Sequence, residues 1–128
     1  GAKIDVVGVD DLYSGLDDLD AAFDRPDRPP SGSERRFVLL LSHSPDIALK
    51  ERARQADLIL CGHTHGGQVR LPVFGPVRTG TKLGRRAAAG LAEIDGARLY
   101  VTRGVGESGV RVRYGCRPEL SLLTLRRR

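Results

Sequence analysis

Apolar positions along the chain fall into short blocks whose spacing changes from one stretch to the next. Lys3 to Val9 (KIDVVGV) is short and rich in β-branched residues, which predicts a strand ending at Asp10-Asp11. Ser14 to Phe23 (SGLDDLDAAF) places Leu16, Leu19 and Ala22 or Phe23 at three- and four-residue spacing. Acids lie toward its start, where a helix dipole favours them, so the stretch predicts a short amphipathic helix. Asp24 to Arg36 (DRPDRPPSGSERR) is dense in Pro, Gly, Ser and charge, which predicts a flexible loop with no part in the fold.

Phe37 to Leu41 (FVLLL) is a continuous apolar run bounded by charge and suits a strand buried on both faces. Behind it, Ser44 is placed to cap a helix, Pro45 fits the first helical position and Asp46 suits the positive end, so a helix is expected from Pro45 to about Gln55. Asp57 to Cys61 (DLILC) reads as a second buried strand. Strand and helix therefore alternate in the first half, as in an α/β layered sheet. From Gln68 onward the pattern changes to short strands separated by Gly and Pro: QVRLP, GLAEI, RLYVTRG and LSLLTL. These predict mostly antiparallel structure closing the domain.

Composition narrows the picture. A chain of 128 residues fits one small domain. No apolar run approaches the roughly 20 residues needed to span a bilayer, so the chain itself is expected to be soluble, with the compartment of any parent, cytoplasmic or membrane-associated, left open. The chain opens on Gly1-Ala2 and contains no Met, so it is expected to be part of something longer. The net charge of +5 can suit nucleic acid or anionic lipid, but arginines spread along the chain and few aromatics make a solvated surface with a basic tail the preferred reading. Cys61 and Cys116 form no CxxC pair, which excludes a zinc ribbon or a thioredoxin-type motif.

Each of the three histidines directly follows a predicted buried strand in a turn flanked by Gly or Ser. Ligands in α/β sheets collect beyond the carboxyl ends of the strands, where loops converge. One such histidine alone would be a polar turn residue. Here His43 matches the position of the His63/His65 pair on the neighbouring strand, and in an extended His63-Thr64-His65 both imidazoles would face one side. Ions of a two-metal centre sit about 3.5 to 4 Å apart, within reach of such a pair. Metal-free acid-base work by His63 and His65 is the weaker account, because no serine or cysteine nucleophile stands in a recognisable motif.

CGHTHGGQVRLP (Cys61 to Pro72) resembles the final GHxH motif of calcineurin-like metallophosphoesterases, and LSHSPD (Leu41 to Asp46) resembles the histidine motif that precedes it. YVTRGVGESGVRVRYGCRPELSLLTL (Tyr100 to Leu125) and VGVDD (Val7 to Asp11) are similar to a bacterial subgroup related to UDP-2,3-diacylglucosamine pyrophosphatases. The resemblance covers nearly the whole chain. It implies the C-terminal half of a four-layer αββα sandwich, with two divalent ions (Mn, Fe or Zn), His43 and His63 on one and His65 on the other. It also implies hydrolysis of a phosphomonoester, phosphodiester or pyrophosphate by a metal-activated hydroxide.

The family's DxH, GD and GNH(D/E) motifs do not occur; the chain has no Asn, and no Asp stands two before a histidine. The isolated chain is therefore expected to be inactive and to need the missing N-terminal half of the domain as its partner. A non-catalytic small domain that binds metal, nucleic acid or a protein is the alternative. Arg103 is a candidate for a substrate phosphate or for a structural ion pair. Thr64 and Gln68 are candidates to orient ligands or to satisfy loop backbone. Glu107 replaces a small polar residue of the subgroup pattern, and Asp10 and Asp11 are not assigned to metal.

Overall fold

The computed structural model describes residues 3–24 and 36–126. The loop predicted over Asp24 to Arg36 lies, apart from its two ends, outside the described residues. Seven strands and one α-helix make up the frame: β1 (Ile4–Gly8), α1 (Leu19–Phe23), β2 (Phe37–Leu41), β3 (Leu58–Cys61), β4 (Arg70–Leu71), β5 (Gly75–Pro76), β6 (Gly90–Ile94) and β7 (Ala97–Val101). Five of the strands form one sheet in the order β1-β2-β3-β7-β6, parallel except for β6, while β4 and β5 form a separate antiparallel hairpin. The α/β class and the passage from αβ alternation to short, largely antiparallel pairs are as expected.

Period-two alternation sorts the sheet residues onto two unlike faces. Val7, Val38, Leu40, Ile59, Cys61, Leu99 and Val101 are buried under the helical segments, joined by Leu19 and Phe23 of α1 and by Ile47, Ala48 and Ala53 of the β2–β3 crossover. Ile4, Val6, Leu41 and Leu91, on the opposite face, remain 41 to 77% exposed. A parallel sheet normally has both faces covered. Among the described residues only one side of this sheet carries a packed layer, which is half of a sandwich.

Three predicted elements take a different form. The stretch from Ser14 to Phe23 is not one helix: a 3-10 turn over Leu12–Ser14 ends at Gly15 with φ 73°, and α1 begins only at Leu19, where the Asp18 carboxylate accepts the Ala21 N–H at 2.8 Å. The crossover begins at Pro45 with the Ser44 side chain capping, but it runs as two 3-10 stretches, Pro45–Leu49 and Glu51–Gln55. Lys50 breaks them with extended backbone (ψ 128°), and its ammonium pairs with the buried Asp17 carboxylate. Arg52 pairs with Asp20 at 3.0 Å and with Asp24, tying α1 to the second stretch. LSLLTL forms no strand: among the described residues it meets no pairing edge, and Leu120 and Leu122 are 90 and 95% exposed. Instead, Glu119 anchors the segment, its N–H donating to the Gly104 carbonyl at 2.9 Å and its carboxylate accepting from Tyr100 at 3.0 Å.

Candidate metal centre

Because β1, β2, β3 and β7 run parallel, their carboxyl ends lie along one edge of the sheet. Asp10, His43, His63 and Arg103 leave from that edge. A hollow of about 370 Å³ opens there, lined by Val9, Leu41, Ser42, His43, Leu60, Cys61 and Gly62.

The turn after β3 is not extended, contrary to the geometry expected for His63-Thr64-His65. His63 (φ 66°), His65 (φ 51°) and Gln68 (φ 49°) all take left-handed backbone, with Thr64 in right-handed helical space between the histidines. Such conformations cost about 1–3 kcal/mol each in a non-glycine residue and persist only where the surroundings fix them. Several contacts fix this turn. Thr64 is buried, its hydroxyl donating to the Ala88 carbonyl at 2.8 Å and accepting the Gly66 N–H at 3.2 Å. Gly67 (φ 85°) sits so close to the hairpin that a Cβ there would lie 2.5 Å from the Pro76 Cβ and 2.7 Å from the Arg78 carbonyl oxygen.

Coiling the turn sends the two histidines to different neighbours. His63 Nδ1 stands 3.2 Å from His43 Nε2, and His63 Nε2 stands 3.0 Å from the Gly80 carbonyl oxygen. His65 Nδ1 lies 3.1 Å from the Gly106 carbonyl oxygen. A carbonyl can only accept, so His63 Nε2 and His65 Nδ1 carry the protons. That leaves His63 Nδ1 and His65 Nε2 to face a ligand, and the proton held between His63 Nδ1 and His43 Nε2 would leave when both nitrogens take an ion.

A backbone carbonyl that holds the far nitrogen of a ring is the arrangement that orients histidine toward a metal. The 3.2 Å between the nitrogens of His43 and His63 also matches two ligands on one ion with bonds of about 2.0–2.1 Å. The donor set therefore fits a divalent cation, incompletely: among the described residues no three His, Cys, Asp or Glu side chains gather at one point.

Two supports of these carbonyls are absent from the sequence reading. Asp46, 2% exposed, accepts from Tyr13 Oη at 2.8 Å, from the Thr81 hydroxyl, and from the Lys82 N–H at 3.0 and 3.1 Å on its two oxygens. Tyr13 also donates to the Gly80 carbonyl at 3.2 Å and packs its ring 5.1 Å from that of His63. Burial works against the Asp46 charge, but the bonds from Thr81, Lys82 and Tyr13 outweigh it and hold the carboxyl below its usual range. Burial and the bond to Asp46 push the Tyr13 hydroxyl up. Asp46 was readable only as a favourable acid at a helix start; nothing in its local sequence announces a partner 35 residues away.

Arg113 is the second support. Its guanidinium donates to the carbonyls of Arg103 at 2.9 Å, Gly104 at 3.3 Å, Gly106 at 2.5 Å, His65 at 3.4 Å and Cys116 at 3.5 Å. It thus grips both the oxygen that orients the His65 ring and the backbone of His65 itself.

Arg103 turns to Glu119, its Nε 3.6 Å from the carboxylate, while its aliphatic stem covers Gly66. Gln68 holds loop backbone, donating to Ser108 O at 3.1 Å and Val110 O at 3.0 Å and accepting the Ser108 N–H. Asp10 accepts the Asp11 N–H at 2.7 Å. Both cysteines are free and buried, and burial aided by the Asp46 charge pushes the Cys61 thiol up to about 12.

Known proteins resemble the chain over nearly its whole length. The chain is 36% identical over 126 residues to the uncharacterized metallophosphoesterase YkuE of Bacillus subtilis, covering 98% of this chain and 42% of that protein. It is 38% identical over 128 residues to phosphodiesterase YaeI of Escherichia coli, covering 96% and 42%. It is 28% identical over 119 residues to the uncharacterized metallophosphoesterase YkoQ of Bacillus subtilis, covering 92% and 42%. No protein-family profile and no solved structure matches the chain. The chain belongs to the metallophosphoesterases. It spans about 42% of the length of these curated relatives.

Proposed function

We propose that this chain supplies the histidine side of a two-metal phosphoester hydrolase, as its C-terminal portion, with His43 and His63 on one ion and His65 on the other. The observation that carries the reading is the 3.2 Å approach of His43 Nε2 and His63 Nδ1 while backbone carbonyls fix the far nitrogens of His63 and His65. When bound, divalent metal supplies Lewis-acid charge for a phosphoryl oxygen and a nucleophile at neutral pH. The chain's own part is to hold the imidazoles in the ligating tautomer. The remaining ligands come from outside these 128 residues, and that further part of the domain covers the open face presented by Ile4, Val6, Leu41 and Leu91. Arg103, with its stem over Gly66, supplies the guanidinium for a substrate phosphate once it leaves Glu119.

Metal analysis of the full-length protein tests the assignment. His63→Ala and His65→Ala are each expected to lose bound metal and phosphodiester turnover together; metal content unchanged in both refutes the ligand set. The isolated chain is expected to turn over no phosphodiester, and measured turnover would refute its dependence on the rest of the domain.

A further inference from the structure

One stretch of the chain carries cations and no acids. From Leu58 to Ala92 there is no Asp or Glu, while Arg70, Arg78, Lys82, Arg85 and Arg86 all fall there. The segment carries +5, against −4 for the residues before it and +4 for those after it. Four of its cations, Arg78, Lys82, Arg85 and Arg86, are exposed.

The same segment carries an apolar projection. The β4–β5 hairpin pairs Arg70 with Pro76 and Leu71 with Gly75, and its tip is Pro72-Val73-Phe74. Val73 is wholly exposed, Phe74 67%, Val77 65% and Leu71 45%. Val73 holds φ 68°, an outlier for a β-branched residue, so the backbone is strained where it presents this side chain to solvent. The root, by contrast, is fixed: Pro76 is buried and packs against Gly67 of the histidine turn. In chain order the hairpin directly follows the histidine turn that leaves the carboxyl end of β3.

Contiguous exposed apolar residues rimmed by charge mark a protein or membrane contact. We infer that the hairpin tip and the cations of residues 78–86 form a docking surface for an anionic phospholipid bilayer. The tip enters the interface and Arg78, Lys82, Arg85 and Arg86 meet lipid phosphates. Two features favour a bilayer over nucleic acid. A duplex has no use for Leu71, Val73 and Val77, and Phe74 is the only Phe, Tyr or Trp in the segment. The inference is independent of the metal assignment.

Vesicle co-sedimentation of the full-length protein tests it, comparing phosphatidylcholine vesicles with vesicles containing added phosphatidylglycerol. Binding is expected only with the anionic lipid. Each cation removed lowers the partition about fivefold, so Arg85→Ala with Arg86→Ala lowers it about twenty-five-fold. Val73→Asp with Phe74→Asp lowers it at least about tenfold. Metal content remains unchanged in every variant, which separates failure here from failure of the proposed metal site. Phe74→Trp adds a reporter at the tip, and its emission, taken as the difference from the unsubstituted protein, should shift to the blue on anionic vesicles. Equal binding to neutral vesicles, an unmoved Phe74→Trp emission, or full binding by the aspartate variant overturns the inference. So does binding to a DNA duplex that needs Arg85 and Arg86 but not Val73 and Phe74.

Discussion

Replacing Asp46 tests the support of the His43–His63 pair most directly. Its buried carboxylate receives three donors: the Tyr13 hydroxyl, the Thr81 hydroxyl and the Lys82 N–H. Hydrogen bonds to a charged group are worth about 1.5–3 kcal/mol each, but they are not additive, and part of the 79–83 loop can relax toward water. Asp46→Ala, which strands two of these donors beside a dry core, is therefore expected to cost about 3–5 kcal/mol. That is a large share of a typical stability of about 5–15 kcal/mol. Asp46→Asn keeps the shape. Its oxygen can still accept from Thr81 and Lys82 while its amide donates to Tyr13 Oη, so only the charge is lost and the cost falls to about 1–2 kcal/mol. The sign with pH follows from a folded-state carboxyl held below its usual range. The wild-type advantage over Asp46→Asn should be fully present above the unfolded value of about 3.9 and should shrink as pH falls toward the folded one. Urea midpoints of the two proteins, measured from neutral to acid pH, read both effects. An Asp46→Ala cost below about 1 kcal/mol, or a wild-type gap to Asp46→Asn that stays constant into acid, would refute the reasoning.

Two further substitutions probe the histidine turn. Arg113→Lys replaces a planar fork on five carbonyls by a single ammonium; it should cost about 2–3 kcal/mol and let His65 exchange its Nδ1–H tautomer, which long-range proton–nitrogen NMR of the metal-free protein would detect. An unchanged tautomer would leave Arg113 as an anchor of the 103–106 loop alone. Gly67→Ala places a methyl against Pro76 and the Arg78 carbonyl at a positive φ, and should lower stability by about 3 kcal/mol in a thermal melt. A neutral Gly67→Ala would mean that the hairpin root is not locked to the histidine turn.

What the sequence made legible, and what it hid, divides by the range of the interaction concerned. The buried runs FVLLL and DLILC, the Ser44-Pro45 start and the histidines after strands are local signals, and the chain folds around them. Segments whose form depends on distant partners came out differently. The 45–55 crossover breaks at Lys50 because Asp17 holds it, and LSLLTL has the composition of a strand but meets no edge among the described residues. At the histidine turn, spacing suggested an extended HxH with both rings on one side. The left-handed backbone at His63 and His65 follows instead from Thr64 reaching Ala88, from Gly67 against Pro76, and from the carbonyls of Gly80 and Gly106. Those carbonyls are placed by Asp46 and Arg113, residues that locally read as a helix-start acid and one of many basic side chains. A carbonyl has no sequence signature. The part of a histidine site that selects the tautomer is therefore the part a linear motif cannot carry, and Asp46, Tyr13 and Arg113 are where substitutions should alter the site without touching a proposed ligand.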